Sequence, residues 1–542
     1  MRRFPARPLA RPLARPLAIA LVLTTSAVAL PARADAPPVT EDGAKALAAA
    51  IKDGLARWFP KPKDGGMEMR WKGEPKATPA GDHYDVALPP LTVVNDDGST
   101  AEVGSVALTV KPQEGGTHAV TAVLPDSVPL LDGGKPSATI RIGQQRFSGV
   151  WSGTYETFLS VDANYGDLSV TSDKKAGGKK GDAKNGALTI GSVTVAGELT
   201  PDGATTWSGP GALSISNVRL LDDQKKEVMT LAGLTAEATY TRVDLTRALA
   251  MQRLVEAHAA AGTEPPPADV IRLVQGVAGG GSFRFGLSGL SGRNPDDGSR
   301  FALAQFAARG ATEDFDKPTA SATLGFELSG LDVAPPVAPQ GFLPDRVELQ
   351  LSVAKLPTAS LWQALADYAA LAQAKESDEE EEDEEEEEAA APDPQAEAIG
   401  NRLIGAMAAV GSELRLDKVA VNAPAASGDM TGTVRMAANT AYGAVGGATI
   451  LLRGLDAAAK ALQPKPGQKA DKDAKDTLGV IAMLQAFGQA GKDAAGNELR
   501  SYKIDLTESG QILLNGADMS ALMGGASPTE PAAADKKMPK KL

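Results

Sequence analysis

The chain has 542 residues, a formal charge of −13, no cysteine, and only 4% aromatic residues beside 57 glycines and 37 prolines. The missing cysteines exclude disulfides, thiol catalysis and thiolate metal sites, so stability must come from core size. This composition predicts many short strands and turns around a core of low side-chain volume, and the length suffices for two to four domains or one large sheet-rich body.

Residues 1–34 carry six arginines and no acid. Arg2, Arg3, Arg7, Arg11 and Arg15 precede an apolar run from Leu17 to Leu30; Pro31 and the small residues Ala32 and Ala34 follow. That order of basic, apolar and small-residue segments is the order of a cleavable secretory signal peptide. The apolar run has 14 residues, short of the ~20 that cross a bilayer as a helix. Cleavage is expected after Ala34, with Ala36 as second choice, and the mature chain is expected to be periplasmic, with no transmembrane helix.

Residues 35–170 read as an N-terminal helix followed by a β-rich region. Thr40 is placed to cap a helix from Glu41 to Phe59, with Leu47, Ile51, Leu55 and Trp58 on one stripe. Strands are predicted at Met67–Trp71, His83–Leu88, Ala101–Val110, His118–Leu124, Ala138–Ile142, Arg146–Val150 and Thr154–Val161, punctuated by turn phrases at Asn95–Gly98 and Asp132–Gly134. A Lys/Gly loop spans 171–186. A central β-rich region, 187–375, holds strands Ala187–Glu198, Gly211–Leu220 and Leu234–Val243, then a helical pair, Leu245–Ala260 and Ala268–Ala278. Strands Ser282–Leu290, Phe301–Gly310, Ala320–Leu331 and Arg346–Val353 follow, with a helix at Thr358–Lys375. Leu213 and Ile215, then Val218 and Leu220, alternate with polar neighbours across a bulge-like step, as in an antiparallel sheet with one wet face.

Residues 376–394 form an acidic insert. Glu376–Glu388 holds twelve acids and no base, a self-repelling run that is expected to be disordered. Removing the signal arginines takes the formal charge to −19, and setting this run aside leaves about −7 for the body. A C-terminal α+β region, 395–524, and a disordered tail, 525–542, complete the chain. The whole reads as α+β: a large, mostly antiparallel sheet body with helices packed on one face and repeated strand-to-helix returns.

The search for chemistry yields no candidate catalytic, cofactor-binding or metal-ligating residue. His83, His118 and His258 stand singly, without zinc-ligand spacing. Ser172-Asp173-Lys174-Lys175 matches Ser-x-x-Lys only formally, inside a loop. The pairs Asp96-Asp97 and Asp296-Asp297 each precede glycine in a turn phrase, where carboxylates cap backbone N–H groups. Lys174, Lys175, Lys179 and Lys180 have no aromatic beside them and predict no nucleic-acid binding.

The strand-to-helix phrases Val243–Leu249, Lys355–Leu361 and Gly454–Ala458, with the closing Glu508–Gly516, resemble those of the YdgA-like group of exported bacterial envelope proteins. The resemblance implies compartment and class and supplies no catalytic residue. The expected function is therefore non-catalytic: binding of an apolar, lipid-like ligand or an envelope partner. Two other readings are an envelope-polymer hydrolase using paired carboxylates and a passive structural scaffold.

Overall fold

The computed structural model describes residues 36–59, 66–172, 186–339, 341–379, 393–463 and 472–519. The expected signal peptide, the Lys/Gly loop from 173, the acidic run beyond Glu379 and the C-terminal tail lie outside the described residues. Antiparallel strands dominate, with helices inserted between them, and the chain divides into two compact units. Unit 1 comprises Met1–Val337 with Thr358–Gly400; unit 2 comprises Ala338–Pro357 with Asn401–Leu542.

Unit 1 opens with α1 (Glu41–Trp58), where the sequence pattern acts as read: the Thr40 side chain accepts from the Gly43 N–H, and Ala44, Leu47, Ile51 and Leu55 form the buried stripe. The helix lies close to the sheet. A β-carbon on Gly43 would stand 2.1 Å from Tyr84 Oη, an oxygen that accepts from the Thr40 N–H at 3.2 Å. Ten short strands follow: β1 (Glu68–Trp71), β2 (Lys76–Ala80), β3 (His83–Ala87), β4 (Leu91–Val94), β5 (Thr100–Gly104), β6 (Ala107–Pro112), β7 (Thr117–Val123), β8 (Ser127–Asp132), β9 (Lys135–Arg141) and β10 (Gln144–Ser152). The segment expected as one strand from Ala101 to Val110 breaks after Gly104, whose φ of +81° turns the chain.

The strands then lengthen into a meander. β11 (Thr157–Ser172), β12 (Ala187–Glu198), the two-residue β13 (Thr200–Pro201), β14 (Thr206–Leu221) and β15 (Glu227–Asp244) run up to α2 (Leu245–Ala261) and α3 (Pro267–Val274). β16 (Gly280–Arg293), β17 (Arg300–Glu313) and β18 (Thr319–Ala334) continue it, and α4 (Thr358–Glu379) belongs to the same unit. The hydrogen-bonded order is β10–β11–β12–β14–β15–β16–β17–β18, antiparallel throughout. One core cluster unites α1, β3 to β10, β11 and β12, from Leu47 and Val93 to Tyr165, Val170 and Val193. It fades at β14, where Leu213, Ile215 and Val218 are only partly buried.

The division between the units falls within α5 (Pro394–Val410). Unit 2 is a smaller meander of β19 (Arg346–Pro357), β20 (Glu413–Asn422), β21 (Ser427–Met436) and β22 (Ala444–Arg453), followed by α6 (Leu455–Ala461) and α7 (Lys472–Phe487). β23 (Gln489–Lys492), β24 (Glu498–Leu506), β25 (Ile512–Leu514) and β26 (Ala517–Asp518) close it, with β24 pairing β22. Its small core gathers Ala458, Leu462 and Ile481 with Phe342 and Leu455.

Candidate functional site: a creased apolar trough

In each long strand of unit 1 the apolar alternation slips by one residue at the same level. On β14 the inward residues are Leu213 and Ile215, then Val218 and Leu220; on β16 they are Phe285 and Leu287, then Leu290; on β17, Leu303, then Phe306 and Ala308. The slipped residues face one another across every pair, because the ladders skip Asp167, Gly191, Asn217, Ala232, Gly289, Ala304 and Gly330 while keeping register on both sides. Asp167, Asn217, Gly289 and Gly330 have φ of +52°, +54°, +59° and +65°. A left-handed residue in every second strand bends the chain there, so the skipped positions form a crease running across seven strands. The step noticed in β14 from sequence is one link of this line.

The crease keeps one face apolar on both flanks. Row after row crosses the sheet without a charge: Tyr165, Val193, Ile215, Leu234, Leu287, Phe306 and Leu328 are cross-strand neighbours. On the far flank Leu290, Leu303 and Leu331 form the matching row. Exposure rises away from the crease. The rows beside it are half-buried, whereas Phe283, Leu324, Tyr240 and Phe301, further out, are 48%, 53%, 49% and 42% exposed. The rows of both flanks thus lie on one face of the creased sheet, which we term the trough. At β11 and β12 the α1 core plugs it; from β14 to β18 it stands open. The opposite face carries Ser192, Thr194, Ser214, Thr235, Glu237, Arg284 and Arg309.

Charges appear at both ends of the strands, with Arg219–Glu227 and Arg300–Asp332 at one and Arg242–Asp316 at the other. Arg242 on β15 donates to both carboxylate oxygens of Asp316 at 2.8 Å, which raises the guanidinium pKa and holds Asp316 below the ordinary carboxylate value. The side-chain hydrogen bond is the main cause in both. Helix α2 starts after Asp244 at this end of β15 and packs against α3, which packs against α4. Unit 2 also presents an uncovered apolar face, with Val347, Leu349, Leu351 and Val353 opposite Val421, Val419, Leu416 and Leu414. It lacks an aligned crease: among its strands only β20 carries the three-residue step, from Leu416 to Val419.

The residues weighed from sequence do not converge. His83 contacts Asp82 and Asp85, and His258 Nδ1 contacts Thr263 Oγ1 at 2.8 Å. His118 is buried on β7 opposite Trp151, and burial pushes its pKa down to about 4. Asp97 and Asp297 accept from the backbone N–H groups of Ser99 and Ser299 at 2.9 and 2.8 Å, as turn caps. Ser172 ends β11, and Lys174 and Lys175 lie outside the described residues. Two acids that sequence reading passed over, Asp417 and Asp505, share a polar hollow on unit 2, where Asp505 is ion-paired with Lys503 at 3.0 Å. Among the described residues no cluster of three or more His, Asp or Glu is arranged to hold a metal, and no helix is long and apolar enough to cross a membrane.

No protein-family model matches the chain, no curated protein matches it in sequence, and no solved structure matches it.

Proposed function

We propose that this is a non-catalytic, exported envelope protein that binds acyl chains in the trough of unit 1. The observation that carries the reading is the charge-free apolar surface on both flanks of the crease, open from β14 to β18. Those five strands, at ~4.8 Å spacing, span roughly 19 Å, comparable with the ~15 Å depth of one leaflet's hydrocarbon. The backbone groups along this face are used in the ladders, and its side chains offer almost no donor or acceptor. A protein partner normally brings about one hydrogen bond per 100–200 Å²; a hydrocarbon chain needs none. The signal-peptide reading of residues 1–34 and the YdgA-like resemblance support the same placement in the envelope.

The test is native mass spectrometry of gently purified mature chain, with titration by a fluorescent C16 fatty acid. Lipid-mass adducts and saturable probe binding are expected. Neither an adduct nor probe binding up to the solubility of the probe would sink the reading.

A further inference from the structure

Residues 245–276 leave the sheet and return to it at a single point. The Asp244 N–H donates to the Val277 carbonyl at 2.7 Å, and the Gly279 N–H donates to the carbonyls of Thr241 and Arg242, so the two ends of the excursion are clasped side by side. Gly276, at φ +80°, supplies left-handed backbone freedom at the return point. Between the ends, Leu245 is the only buried residue among the described side chains of α2, and α3 buries none although Val270, Ile271, Leu273 and Val274 give it an apolar face. The arm stands on a narrow stem, with α3 packed against α2 and α4.

Its far contact is a buried carboxylate. Glu156, in the turn just before β11, has a side chain only 6% exposed and accepts from Arg57 of α1 at 3.1 Å and from Arg253 of α2 at 2.6 Å. Glu156 holds a left-handed φ of +49°, an uncommon conformation for a residue with a β-carbon. Since α2 starts at the end of β15 and its ninth residue reaches the start of β11, the helix crosses the ends of β14 and β12 along the rim. Arg253 is half-exposed, so the bond that fixes the arm is accessible while its acceptor is not.

We infer that residues 245–276 form a hinged rim cover whose position governs entry of acyl chains, and that Glu156 is the catch that holds it. The gating half rests on the acyl-binding reading; the hinge does not. Hydrogen exchange on the full mature chain, comparing wild type with Glu156→Gln and Arg253→Gln, separates them. The Arg253 variant changes a half-exposed side chain and keeps the Glu156–Arg57 pair, so it guards against simple misfolding. In both variants amides of α2 should exchange about tenfold faster or more, as expected for loss of a charge-assisted bond, with β11 and β12 unchanged. Dissociation of the bound C16 probe should accelerate in parallel. Exchange in α2 within twofold of wild type in both variants overturns the hinge. Faster exchange with unaltered probe dissociation overturns the gating. Faster exchange in a protein that binds no probe leaves the hinge standing and removes the acyl-binding reading instead.

Discussion

Gly330 on β18 and Ala304 on β17 face each other in the crease so closely that a β-carbon on Gly330 would stand 2.5 Å from that of Ala304. Gly330 also has a φ of +65°, so both space and backbone exclude a side chain. Gly330→Ala is expected to destabilise unit 1 by roughly 2–4 kcal/mol, the sum of a left-handed β-carbon and an overpacked contact. Gly298, at φ +73° in the β16–β17 turn, has open space around its β-carbon position. Its alanine variant should lose only about 1–2 kcal/mol. Urea denaturation of the two variants checks this; equal losses would show that the crease is not close-packed.

The trough reading makes a two-faced prediction on one pair of strands. Leu287→Asn places an amide beside the crease, where a bound chain would leave it without a partner, and about tenfold weaker binding of the C16 probe is expected. Thr235→Asn, on the opposite face of neighbouring β15, should leave probe binding unchanged. Fluorescence titration distinguishes them. Equal effects, or none in either, would place the bound chain elsewhere.

Much of the element order was legible because it depends on local chemistry. The cap at Thr40 and the stripe Leu47, Ile51 and Leu55 identify α1, and the left-handed Gly133 and Gly134 close the turn expected there. Strands β2 and β8 were not legible, since Pro79 and Pro129 lie inside them and proline argues against a strand interior. β11 was expected to end at Val161 and runs to Ser172, passing through the crease at Asp167. The trough itself stayed hidden for a related reason. A step such as Ile215 to Val218 is a local irregularity in one strand, and only the long-range register shows seven such steps aligned. Glu156 gave no signal either: its two arginine partners are 99 and 97 residues away.

Export predicts a mass. Expression with residues 1–34 intact in a bacterium with a periplasm should yield protein in the periplasmic fraction whose intact mass begins at Asp35. A mass retaining Met1, or product found only in the cytoplasm, would overturn both the signal-peptide reading and the envelope placement that the proposed function uses.

His118 makes stability depend on acidity. Its side chain is 3% exposed on β7, directly across from Trp151, whose ring packs edge-on against Trp58 and Phe158. Burial holds the folded-state pKa near 4, below the ordinary 6.5. Above pH 6.5 the ring is neutral in both states and contributes no pH dependence. Between 6.5 and 4 the unfolded chain takes up a proton that the folded chain refuses, so stability falls as pH falls. The full difference is about 3 kcal/mol, approached near pH 4. Urea midpoints measured from pH 7 to pH 4 should therefore decline more steeply for wild type than for His118→Leu, which has no proton to bind. Parallel declines in the two proteins would show that the imidazole is not held neutral in that aromatic core.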